Sequence, residues 1–148
     1  NISWGPLSRL QGWTWANGLS HTRTYDNTGR LQSLKHGTLL QKTYSYDVAG
    51  RLVQNTDAVL TRNQSYAYDA LDRLTQTQRG NTTDVYSYDS VGNRLSSNWG
   101  NAGNTYTYAA SSNQLTTVAG TNPQTNSMDA SGNLLSNGKW QNTYFNNP

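Results

Sequence analysis

The sequence predicts an all-β fold: a repetitive ribbon of antiparallel β-hairpins. Three observations predict it. A short phrase recurs about every 20 residues along the 148-residue chain. The phrase has the chemistry of a tight β-turn. The composition favours strands over helices, with ten Tyr, five Trp and nineteen Thr against three Lys and no Glu.

The repeat comes first because it fixes the architecture. Its anchor is a tyrosine preceding an aspartate, at Tyr25, Tyr46, Tyr68 and Tyr88, followed by Tyr108, with Met128 in the same slot of a sixth copy. Successive anchors are 21, 22, 20, 20 and 20 residues apart. The copies read YDNTGRL, YDVAGRL, YDALDRL, YDSVGNRL, YAASSNQL and MDASGNL. A seventh begins at Phe145–Asn146 and stops at Pro148. The expected organisation is a single array over 1–148, with a leading or linking segment at 1–24 and about six repeats plus a truncated seventh over 25–148.

Each phrase reads as a hairpin turn. In the first, Asp26 takes the opening position of a type I turn and Gly29 the fourth. A carboxylate there accepts backbone N–H bonds within its own turn, and Gly29 and Gly50 supply the left-handed conformation of a three-residue loop. Asp72 stands at this slot in the third copy, and Asp is one of the few side chains that tolerates it. Gly92 and Asn93 give the fourth copy one residue more, so its loop is expected to differ. Asp129, Gly132 and Leu134 carry the sixth.

The hairpin predicts cross-strand partners. Asp26 faces Arg30 and Tyr25 faces Leu31; Asp47 faces Arg51 and Tyr46 faces Leu52; Asp69 faces Arg73 and Tyr68 faces Leu74. By the same reading Tyr88 and Asp89 belong with Arg94 and Leu95. Alternation is expected to place Tyr and Leu on one face of the sheet and Asp and Arg on the other. The doublets Tyr44/Tyr46, Tyr66/Tyr68, Tyr86/Tyr88 and Tyr106/Tyr108 then share a face. Between copies, the Gly- and Asn-rich stretches 79–84, 99–104 and 120–126 read as the opposite turns. No single hairpin buries its own apolar face, so stability must come from neighbours. With two open edges and thinly covered faces, the ribbon is expected to be marginal by itself.

Function classes narrow by exclusion. A net charge of +3 without any Lys/Arg run gives no sign of nucleic-acid binding. No apolar run reaches the ~20 residues needed to span a bilayer as a helix. With no Cys there is no disulfide framework. The two histidines, His21 and His36, lack metal-ligand spacing and no nucleophile motif surrounds them. No catalytic residue, cofactor site or metal site is assigned. Five of the eight aspartates fall in repeated turns, which turn capping explains better than paired carboxylate catalysis. Trp13, Trp15, Trp99 and Trp140 lie outside the phrase, as does Trp4, and the first four are candidates for stacking on sugar rings.

The phrase Tyr-Asp-x-x-Gly-Arg-Leu at this spacing resembles the YD-repeat, or Rhs, family over Tyr25 to Pro148. The segment WTWANGLSHTRTYD, Trp13 to Asp26, also resembles linking segments of such arrays. Asp72 for Gly, the longer fourth turn, Ala109 for Asp and Met128 for Tyr depart from the pattern. The resemblance implies a non-catalytic segment of a large bacterial protein, secreted or on the cell surface, whose repeats wind into a β-sheet shell. In such toxins the shell encloses a C-terminal toxic domain, so the implied partners are the rest of the shell and its effector. A surface module that binds carbohydrate through exposed aromatics is the alternative. No closing protease-like motif is visible, so the chain is expected to be an internal stretch of wall.

Overall fold

The computed structural model describes residues 2–58 and 62–143. The seventh copy, at Phe145 and Asn146, lies outside the described residues. The chain divides into two compact units, 1–81 and 82–148.

The first unit holds eight strands: β1 (Ile2–Trp4), β2 (Leu10–Thr14), β3 (Ser20–Tyr25), β4 (Leu31–His36), β5 (Leu40–Tyr46), β6 (Leu52–Asp57), β7 (Gln64–Tyr68) and β8 (Leu74–Arg79). The second holds β9 (Thr82–Tyr88), β10 (Arg94–Trp99), β11 (Ala102–Tyr108), β12 (Leu115–Gly120), β13 (Gln124–Thr125), β14 (Ser127–Met128) and β15 (Leu134–Ser136). Within the first unit the spatial order is the chain order, and every pairing is antiparallel with the next strand. The same holds from β9 to β13, while β14 and β15 pair separately. This is the expected hairpin meander, and each step of it is local because a short turn joins antiparallel neighbours.

The phrase builds each turn as its chemistry dictates. The Asp26 N–H donates to the Arg30 carbonyl at 2.9 Å and the Gly29 N–H to the Asp26 carbonyl at 2.9 Å. The same two bonds recur from Asp47 to Arg51, Asp69 to Arg73 and Asp129 to Asn133. Gly29, Gly50 and Gly132 have φ near +87°, and Asp72 takes the same slot at +61°. Tyr25 pairs with Leu31, Tyr46 with Leu52, Tyr68 with Leu74 and Met128 with Leu134.

The strands also carry a feature that no letter of the phrase announces. Thr24 pairs with Ser33 while Tyr25 pairs with Leu31, so Gln32 is one residue extra on the returning strand. Val53, Thr75, Thr116 and Leu135 are extra in the same way. Such a β-bulge bends its strand and increases local twist, and here it recurs once per copy. It also turns the strand over: Leu31 faces with Tyr25, and Ser33 faces with Thr24.

Two expectations about the copies are corrected. The fourth loop is not longer. The Asp89 N–H meets the carbonyl of Asn93, four residues on, at 2.9 Å, as Asp26 meets Arg30. Asn93 therefore occupies the arginine slot, Arg94 the leucine slot opposite Tyr88, and Leu95 the bulge. The Asp89 carboxylate takes the N–H four residues on whatever side chain that residue bears, so the letters Arg94–Leu95 do not set the register. The longer loop is in the fifth copy, where the Ala109 N–H reaches the carbonyl of Gln114. Alanine has no carboxylate to organise the shorter turn.

No hydrophobic side chain among the described residues is buried; His21, Asp57, Thr77 and Asp84 are. In β5 the residues Leu40, Lys42, Tyr44 and Tyr46 are half-buried and Gln41, Thr43 and Ser45 exposed. In β11 Tyr106 and Tyr108 are half-buried and Thr105 and Thr107 exposed. The tyrosine doublets thus share a face as alternation requires. Hydroxyl pairs such as Thr24 with Ser33, at 2.7 Å, and Thr43 with Thr56 line the other.

Candidate functional site: the clasp between repeats

The residues that recur are those that bind one copy to the next. In each turn the aspartate acts first. One Asp26 oxygen accepts the Thr28 and Arg30 backbone N–H groups at 3.0 and 2.8 Å, and the other accepts the Arg30 Nε–H at 2.7 Å. Arg51 meets Asp47 at 2.7 Å and Arg73 meets Asp69 at 2.6 Å in the same way. In the later copies an amide replaces the guanidinium: Asn93 Nδ2 donates to Asp89 and Asn133 Nδ2 to Asp129, each at 2.8 Å.

These bonds hold the carboxylates in their charged form. Desolvation opposes the shift at Asp26, but the backbone and side-chain bonds from Arg30, with Thr28, hold its pKa far below the usual carboxylate range. Asp47 is lowered chiefly by the Arg51 side chain, Asp69 by the Arg73 backbone N–H and Asp129 by the Asn133 side chain. Asp89 is also lowered, desolvation again working against the bonds from Asn93.

Held by its Nε, the arginine extends its far end over the next copy. Arg30 lies 4.7 Å from the ring centroid of Tyr46 and donates to the Asp47 carbonyl at 3.4 Å. Arg51 lies 5.0 Å over Tyr68 and donates to the Asp69 carbonyl at 3.2 Å. Asp and Arg are therefore not segregated from Tyr as strict alternation implied; a side chain this long reaches the neighbouring ring, where the π-face attracts a cation. The tyrosine returns the connection. Tyr46 donates its hydroxyl to the Leu31 carbonyl at 2.9 Å, Tyr68 to Leu52 at 2.8 Å and Tyr108 to Arg94 at 3.0 Å. The last bond independently marks Arg94 as the occupant of the leucine slot.

Asp72 turns its departure from glycine to use. Its carboxylate receives Arg51 Nη1 at 2.7 Å, a bond between copies that glycine cannot make.

A further copy sits in the segment that the sequence reading left as a leader. The Gly5 N–H donates to the Arg9 carbonyl at 2.8 Å, and Trp4 pairs with Leu10. Ser8 takes the glycine slot at φ +56°, and Gln11 is the bulge. Arg9 lies 5.7 Å from the Tyr25 ring centroid, and Tyr25 donates to the Leu10 carbonyl at 3.0 Å. The Arg9 guanidinium lies against Gly29, where a Cβ would stand 1.9 Å from it and displace the end of that flexible side chain, while the positive φ is what favours glycine there. Arg9–Leu10, 21 residues before Arg30–Leu31, is the signal that could have revealed it.

The tryptophans differ in their surroundings. Trp13 stacks on buried His21 at 4.0 Å and meets Trp15 edge-on at 5.1 Å. His21 accepts the Arg23 Nε–H at 3.0 Å and lies 5.8 Å from His36. Desolvation, then Arg23 and His36, lower its pKa. Trp99 and Trp140 are 64% and 72% exposed. Buried Asp57, opposite Lys42 on β5, and buried Asp84 on the tyrosine face of β9 were not singled out by sequence. Among the described residues no group of three or more His or acidic side chains could hold a metal ion, and no helix is long and apolar enough to cross a membrane.

Residues 46–84, which span the second and third turns and the Asp47–Arg51–Tyr68 clasp between them, match the family model of the RHS repeat. Over those 39 residues the chain is similar to the RHS repeat. Solved structures share the fold. The Photorhabdus luminescens Tc holotoxin pore with a TccC3 mutation aligns with 97% of the chain at 22% identity and a TM-score of 0.71. The TcdB2–TccC3–TEV structure aligns with 97% at 21% identity and 0.72. TcdB2–TccC3 without its hypervariable C-terminal region aligns with 90% at 16% identity and 0.72. In each case the match covers 9% of the solved chain. No match was found among curated proteins. In this chain, the clasp of Asp, Arg and the next Tyr joins copy to copy.

Proposed function

We propose that this chain is a stretch of wall in a larger bacterial RHS-repeat protein, secreted or displayed at the surface, whose shell encloses a C-terminal effector domain. The observation that carries the reading is that the recurring arginine and tyrosine side chains are used between successive copies. Aspartate sets the turn, arginine reaches forward and tyrosine reaches back. Such a design lengthens by adding copies and, among the described residues, buries no hydrophobic side chain, which suits a wall. The match to 9% of much longer chains of the same fold supports it. The wall acts by enclosure and does no chemistry.

The test is protease protection of the complete parent polypeptide. Enclosure predicts that the C-terminal segment resists protease at concentrations that digest the same segment expressed separately. Variants that open the wall, such as Arg51→Met with Arg73→Met, are expected to expose it. Equal digestion with and without the wall would refute enclosure.

A second reading has one observation in its favour: Trp99 and Trp140 present their rings to solvent. As a carbohydrate module the chain would bind glycans through them, whereas Trp13 is covered by His21 and Trp15. A glycan array probed with the chain and with Trp99→Ala and Trp140→Ala variants decides this. Binding that those variants abolish supports the reading, and no bound sugar removes it.

A further inference from the structure

At the junction from the fourth to the fifth copy, the arginine of the clasp is replaced and the receiving turn is altered. In the fourth copy the arginine slot holds Asn93, and in the fifth the receiving turn has Ala109 in place of aspartate and one residue more. Asn93 Nδ2 donates to Asp89 at 2.8 Å, as arginine Nε does in the earlier copies, and to Asn113 Oδ1 at 3.1 Å. Its side chain ends there. It supplies the Nε–H bond of arginine and a bond to the next turn, but has no guanidinium to lay over the Tyr108 ring or to donate to the Ala109 carbonyl.

The rest of the junction keeps its form. Tyr108 is held by the bond from its hydroxyl to the Arg94 carbonyl, just as Tyr46 is held by Leu31. The Ala109 carbonyl stands where those of Asp47 and Asp69 receive arginine Nη1 from the preceding copy. Arg94, the nearest cation in sequence, is turned elsewhere, 5.0 Å from the Tyr86 ring centroid. What results is an open cavity of about 620 Å³ lined by Asp89, Asn93, Leu95, Tyr108, Ala109 and Asn113.

We propose that this cavity is a binding site for an arginine side chain supplied by another polypeptide segment. Arg30 and Arg51 define the pose from within the same chain. The guanidinium lies over the Tyr108 ring and donates to the Ala109 carbonyl and the Asn113 side-chain oxygen. Its methylene stem lies along Leu95. The planar guanidinium suits this better than an ammonium, because it stacks on the ring while its edge donates in the ring plane. The inference is independent of what the wall encloses.

The test is an NMR titration of the intact chain with acetyl-Gly-Arg-Gly-amide, with the norleucine peptide as control. The arginine peptide is expected to shift the amides of residues 109–113 and the Tyr108 ring, and the control to leave them unchanged. Asn93→Arg places a guanidinium in the cavity from within and is expected to abolish the response. Asn93→Lys serves the same purpose should the arginine variant not fold. Tyr108→Leu is expected to weaken binding ~10-fold, the scale of a partly desolvated cation–π contact. Equal shifts with the norleucine peptide, shifts spread over all the turns, an undiminished response in both Asn93 variants, or no shift at all would each overturn the proposal.

Discussion

At the residue scale, the turn aspartates and glycines were legible because their chemistry is local. A carboxylate accepting N–H groups two and four residues on needs nothing from the rest of the fold. Gly50, at φ +88°, is predicted to tolerate alanine poorly: Gly50→Ala costs about 1–2 kcal/mol in urea denaturation, the penalty of a left-handed L-residue. Asp72 separates two effects. Asp72→Gly relieves the backbone but loses the bond to Arg51, and Asp72→Ala loses the bond while keeping the strain. The alanine variant is therefore expected to have the lower denaturation midpoint. Tyr68→Phe, which deletes only the hydroxyl that reaches Leu52, is expected to cost about 1 kcal/mol by the same measurement.

The titrating residues set a pH profile. The five turn aspartates have folded pKa values below their unfolded ones. Their contribution is full above the unfolded value of about 3.9 and is lost as pH falls from there toward the folded values. His21 is also lowered, by desolvation first and then by Arg23 and His36. Its contribution is full above about 6.5 and is lost as pH falls below that. The urea midpoint should therefore decline in two stages, the first beginning near pH 6.5. His21→Gln should flatten the first stage and leave the second, and an unchanged first stage would contradict the assignment.

At the scale of the element, the hairpin was legible and its register only partly so. Tyr25 opposite Leu31 follows from the turn type. The bulge at Gln32, Val53, Thr75, Thr116 and Leu135 does not, because an unpaired residue imposes no side-chain requirement and five different positions use four residue types. The letters misled in the fourth copy, where Arg94–Leu95 matched the phrase while the backbone counted from Asp89. They concealed the copy at Trp4 to Leu10, where Trp, Gly and Ser stand for Tyr, Asp and Gly. The fifth turn offers a test of the rule that aspartate selects the short loop. Ala109→Asp combined with deletion of Ser111 recreates the spacing of the other turns, with Asn113 in the glycine slot, where a positive φ is tolerated. The variant is expected to melt higher than the parent, and a lower melting temperature would show that the longer loop is preferred for another reason.

At the scale of the whole molecule, repetition was the most legible property and the way copies engage was the least. The period gives the ribbon, but that Arg30 reaches the ring of Tyr46 depends on twist and side-chain length, which no spacing encodes. A chain with no buried hydrophobic side chain among its described residues leans on these junctions alongside its ladder and turn bonds. Alone, it is expected to unfold below roughly 65 °C, the upper end of the ordinary mesophile range. The central claim is that stability lives between copies, and a double-mutant cycle on Arg51 and Tyr68 tests it most directly. Urea midpoints of the parent, Arg51→Met, Tyr68→Leu and the double variant would be compared. The account predicts that each single variant lowers the midpoint and that the second substitution adds little once the first is made. Fully additive effects would show that the two residues stabilise their own hairpins independently, and would contradict it.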